Sequence, residues 1–164
     1  MIDFFVEVYH HIAKEGWHHQ HVYPDTAEEN CFNYTIGLYL EDLPELFLSG
    51  PVPPEVVNVL FDCVIERWRN SAIQLGLNYG ILPNDMPLLI IPINPYSTVA
   101  ADEYLCQLHE YRKWQQHEES RLLAVQIIYP DENGNWPTEE HYNHLIAQVL
   151  LPTMEDTDWQ ELEN

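Results

Sequence analysis

Positive charge is what this chain most lacks. Six Lys and Arg stand against 27 Asp and Glu, leaving a formal −21 on 164 residues at pH 7. So few cations exclude the basic patches with which proteins grip nucleic acid or anionic lipid. Glycine is scarce too: there are six, with no GxGxxG or Walker run, which removes the phosphate-cradling loops. Cys31, Cys63 and Cys106 are odd in number and widely spaced, as reduced thiols are, and do not make a disulfide framework. No window nears the roughly 20 apolar residues of a membrane span. The start MIDFFVEVYHHIAKEG carries acids where a signal peptide needs a basic region. A soluble, cytoplasmic protein is expected.

What is present is a core. The chain is 46% hydrophobic and 12% aromatic, which argues for packing and against charge-driven disorder. Its length suits one domain. Phe4, Val8 and Ile12, with His11, recur at helical spacing over residues 3–15, and Gly16 closes that helix. Residues 17–23 alternate as a strand. An acidic loop from Pro24 to Asn30 leads to Phe32–Leu40, the strongest strand pattern in the chain, and Leu43–Leu48 reads as another short strand.

Pro53-Pro54 opens the longest helix, with a stripe of Val56, Leu60, Val64, Trp68 and Ile73 and Gly76 as its C-terminal cap. Tyr79–Leu82 and Leu88–Ile93 read as strands around a turn, with Pro87 and Pro92 at strand ends or edges. Residues 98–117 return to helical spacing, Leu122–Tyr129 is an apolar strand, and Asp131-Glu-Asn-Gly134 is a tight turn. From Thr138 a short helix or extended arm runs toward Leu151. The pattern predicts a single α+β domain over residues 1–152, an antiparallel or mixed β-sheet packed with two to four helices, and an acidic tail over 153–164.

Several pieces occur in a recognisable order. Gly16-Trp17, Phe32–Leu38, Leu43-Pro44-Glu45-Leu46 and Gly50 are followed by Ala124–Asp131, Gly134, Trp136-Pro137 and Tyr142. Together they resemble the DUF4262 family across roughly residues 12–152. Thr138 stands where the family pattern usually has Trp, and no His precedes Pro44-Glu45-Leu46. The family has no established function, so the resemblance implies a fold and little chemistry. Within it, Asn33–Leu38 reads as structural, with Tyr34 able to bury its ring while its hydroxyl bonds across the core.

Catalytic signatures are missing: there is no Gly-x-Ser-x-Gly elbow, and no Cys stands in a nucleophile motif. No enzyme and no cofactor is expected. Nine His raise one alternative, a metal or ligand site of His19 and His21 from a strand with His141 and His144 at i, i+3. The leading expectation rests on the acids, which are spread along the whole chain. It is an inhibitor, an immunity or antitoxin protein that occludes the basic site of a toxin such as a nuclease. A nucleic-acid mimic blocking a defence nuclease is the close variant. Glu28, Glu29, Glu41, Asp42, Asp131 and Glu132, all on expected loops, are the candidate contacts with a basic protein partner.

Overall fold

A computed structural model of the chain describes residues 2–23 and 31–154. Its strands are β1 (His18–Val22), β2 (Phe32–Ile36), β3 (Glu45–Ser49), β4 (Gly76–Asn78), β5 (Leu88–Ile93) and β6 (Ala124–Ile128). They form one sheet in the order β1-β2-β3-β6-β5-β4. The β3–β6 pair is parallel and every other neighbouring pair antiparallel. Helices α1 (Ile2–Glu15), α2 (Pro54–Asn70) and α3 (Cys106–Trp114) pack on it, α3 following a π-helical turn at Val99–Tyr104. The domain is α+β with a mixed sheet, as expected.

Each face of the sheet has its own core. On one, Val57, Leu60, Phe61, Val64, Ile65 and Trp68 of α2 cover Leu46, Leu48, Ile90, Val125 and Ile127. On the other, Phe5 and Val8 of α1 and Leu108 and Tyr111 of α3 meet Tyr34, Ile36, Phe47 and Ile93. Central β3 and β6 are therefore buried on both sides, which is why their sequences run nearly unbroken in apolar residues. The Tyr34 hydroxyl accepts the backbone N–H of Gln107 at 3.2 Å, tying β2 across the core to α3.

The strand expected over Phe32–Leu40 is shorter. It stops at Ile36 because Gly37 takes a φ of 118°, a conformation that costs glycine little. A Cβ at Gly37 would lie 2.8 Å from Ile12 of α1. The chain turns through a 3₁₀ segment, Leu38–Glu41, and re-enters the sheet at Glu45.

The Glu45 carboxyl group closes this corner. One oxygen accepts the Thr35 hydroxyl at 2.8 Å, and the other accepts the N–H groups of Gly37 and Tyr39 at 3.0 Å each. Thr35 in turn accepts the N–H of Leu46 at 2.9 Å. Burial pushes the Glu45 carboxyl up to about 8 against the pull of these donors. The segment that reads as structural is built around this buried acid.

Other differences have local causes. On α2 the buried stripe runs through Val57, and Val56 faces out; the helix ends at Asn70 with Ser71 as its C-cap, and Gly76 begins β4 instead of capping α2. Residues 79–82, expected as a strand, are irregular and bent backbone that follows β4. Pro92 lies within β5 beyond its ladder with β4, which spans Leu88–Ile90, so its missing N–H breaks no pairing there. Thr153 bridges to Ile93, and the Met154 N–H donates to the Pro92 carbonyl, so the first two residues assigned to the tail pack on the domain. Residues 155–164 lie outside the described residues.

Candidate partner-binding face

Helix α2 is a ridge between two depressions. Its spacing sets Glu55, Val59, Asp62 and Glu66 at i, i+4, i+7 and i+11, one exposed row of three carboxylates and a valine. Beside its N-terminal half lies an apolar groove of about 590 Å³, walled by Val52, Val56, Val59, Leu82, Pro83 and Met86. Leu48, Leu60 and Tyr129 also line it, and Glu55 stands among its lining residues. Val56 and Val59 are 53% and 59% exposed. Two valines so exposed on a charged helix are surplus to the core.

On the other flank lies a polar cleft of about 580 Å³ formed with α1 and β1. His11, His18 and His19 face Asp62, Glu66 and Arg69 across it. The Nδ1 atoms of His11 and His18 are 2.7 Å apart, with ring planes 12° from parallel. His18 Nε2 sits 3.0 Å from the Gln20 amide oxygen, an acceptor, so that nitrogen carries the proton and His18 Nδ1 accepts from His11. Burial pushes both His18 and His19 below the ordinary histidine range. No Ser, Thr or Cys is among the cleft's lining residues, so no hydroxyl or thiol nucleophile stands beside the His11–His18 pair there.

The histidine alternative does not assemble. His19 Nε2 and His21 Nδ1 both turn to the Asn33 amide oxygen, at 2.8 and 2.5 Å, and Asn58 holds the other nitrogen of His19 at 3.2 Å. The His141 carbonyl accepts from Asn135, and the His144 ring packs against Tyr142, both in the turn that follows β6. Among the described residues no three His, Cys, Asp or Glu side chains converge on a metal position. His19 and His21 meet at Asn33, whereas His141 and His144 lie in turn backbone and not on the helix face that their i, i+3 spacing supposes.

The acidic candidates fare differently from one another. Glu28 and Glu29 lie outside the described residues. Glu41 is exposed and holds Arg69 at 2.8 Å, while Asp42, exposed at a φ of 58°, lies 3.7 Å from Arg121. Glu132 is exposed and accepts the Asn143 amide at 2.9 Å.

Asp131 needs correction: it is 6% exposed and cannot present its carboxylate to a partner. Its oxygens accept the N–H groups of Asn133, Asn135 and Asn143 at 2.8–2.9 Å, pinning residues 131–143. Desolvation works upward on this acid, yet those backbone donors hold it below the usual carboxylate range. A group with a depressed folded pKa stabilises above its unfolded pKa, and that stability is lost as pH falls through the folded value. Asp131→Ala is therefore expected to speed amide exchange at Asn133, Asn135 and Asn143 at pH 7. Unchanged protection at all three would contradict this role.

Glu55, Asp62 and Glu66 were not legible as a set, because acids are common everywhere in this chain. Nor did a sequence signal single them out, since Val56 reads as part of the apolar stripe until the structure passes that stripe through Val57.

Comparison with known proteins gives a family. The family model for a domain of unknown function (DUF4262) matches residues 11–143. No curated protein and no solved structure matches the chain significantly.

Proposed function

The chain belongs to the DUF4262 family, a domain of unknown function, and from that premise we propose that this member acts by binding a basic protein. The most concrete form is a cytoplasmic immunity or antitoxin protein that occludes the nucleic-acid site of a cationic toxin, a nuclease in particular. Its surface carboxylates take the place of substrate phosphates, and apolar side chains supply the anchors.

The observation that carries this reading is how the fold spends its few cations. Arg112 is 2% exposed, donating to the carbonyls of His117 and Ser120 and lying over the Tyr39 ring. Arg69 is held by Glu41 and Glu66, Arg121 lies against Asp42, and Arg67 donates to the carbonyls of Tyr79 and Gly80. Four of the six Lys and Arg are thus engaged within the domain. Lys14 and Lys113 are exposed, and the far more numerous acids dominate the outward field. Opposite charge raises association rates by roughly 10 to 10³-fold, an advantage for a guard that must act before its target does.

Among the described residues no helix is long and apolar enough to cross a membrane. The test is affinity capture from native cells at low and high salt, with the bound proteins identified by mass spectrometry. A basic nucleic-acid-binding protein recovered in stoichiometric amount and released by salt is the expected result. The absence of any stoichiometric partner at both salts would overturn the proposal.

A further inference from the structure

We propose that the apolar groove beside α2 receives an amphipathic helix of the basic partner. Leucine-sized side chains enter between Val56, Val59, Leu82 and Met86, and a flanking lysine or arginine meets Glu55, which stands among the groove's lining residues. The inference rests on the binding function proposed above and assigns it a surface.

Three observations select this occupant. The groove is made of side chains, with Leu48, Leu60 and Tyr129 among its lining. Such a surface takes spaced apolar anchors and offers no free sheet edge for an added strand. Its volume, about 590 Å³, lies in the range of built ligand sites.

Charge decides the rest. Glu55 stands among the apolar walls, Asp62 continues its exposed row along α2, and the chain as a whole carries net −21. A second copy would bring another −21 to the same surface. The chain's own residues 155–164 would bring Glu155, Asp156, Asp158, Glu161 and Glu163. Both are repelled, whereas a cationic amphipathic helix matches the groove in both respects.

The probe is a labelled helical peptide with leucines on one face and lysines on the other, compared with a charge-matched peptide whose leucines are serines. The intact chain is expected to prefer the leucine peptide at least tenfold. Val59→Asp and Val59→Ser are each expected to abolish that preference. Because Val59 is 59% exposed, neither change removes a core contact, and circular dichroism checks the fold.

The aspartate makes the test sharp. It adds a negative charge, so attraction by net charge alone predicts binding that is unchanged or tighter. Equal affinity for the two peptides, or an intact preference in both variants, would overturn the proposal. So would a preference that emerges only on removing residues 155–164, or a dimer that Val59→Asp dissociates. If salt-sensitive capture of a basic partner persists while the peptide preference is missing, the groove assignment fails and the binding function stands. If capture fails while the preference is present, the function proposal fails on its own.

Discussion

Glu45→Ala is expected to lower stability by about 3–5 kcal/mol, enough to drop the thermal midpoint by about 10 °C in a domain of this size. The substitution strands the N–H groups of Gly37 and Tyr39 and the Thr35 hydroxyl without their acceptor at a corner shut off from water. It also opens a small cavity between β2 and β3. Chemical denaturation measures the loss, and a change under about 1 kcal/mol would contradict the corner's architecture.

The same residue sets a pH signature. The Glu45 carboxyl, ordinarily near 4.5, is raised by burial to about 8 in the folded chain. Between those values the folded state holds more protons than the unfolded state, so stability falls as pH rises. His18, His19 and His109 are all depressed by burial and act at the other end: their contribution is complete above about 6.5 and is lost below it. From pH 7 to 8 the descent from Glu45 stands nearly alone, at about 1 kcal/mol. Glu45→Gln should flatten that descent. The same slope in the variant would show that another group titrates.

The second large effect is at Gly50. Its φ is 116°, and a Cβ there would collide with the Tyr129 hydroxyl. That hydroxyl donates to the Ser49 carbonyl at 3.2 Å, fastening the end of β6 to the end of β3. Gly50→Ala is expected to cost about 2–4 kcal/mol, from backbone strain together with overpacking. Tyr129→Phe removes the atom in the way, so the double variant Gly50→Ala/Tyr129→Phe should lose less than the two single losses combined. Denaturant midpoints of the four proteins read the coupling. Strict additivity would mean that the hydroxyl is not what opposes a side chain at Gly50. Since Tyr129 lines the groove, this contact also fixes one of its walls.

Much of this fold is legible in the sequence because its elements carry strong local patterns. Residues 3–15 and the Pro53-Pro54 start reveal α1 and α2, and the apolar runs around residues 88–93 and 124–128 reveal the strands buried on both faces. Boundaries slip where tertiary contacts override the pattern. Gly37 ends β2 against Ile12, and β4 begins at Gly76 because it pairs with Leu88–Ile90. Of the candidate site less was legible. In so acidic a chain the identity of a residue says little about which carboxylates face outward. Asp131 looks like any loop acid until its three backbone donors are seen, and Glu45 looks like a surface acid beside Pro44. The α2 row emerges only once the buried stripe is known to pass through Val57, leaving Val56 and Val59 on the outside.

The central claim is occlusion of a basic site. Its most direct measurement is the nucleic-acid binding of the captured partner as this chain is titrated in. The account predicts loss of that binding at one equivalent, recovery as salt rises, and a weaker effect with Val59→Asp. A ternary complex in which the partner holds both this chain and its nucleic acid at undiminished affinity would contradict it.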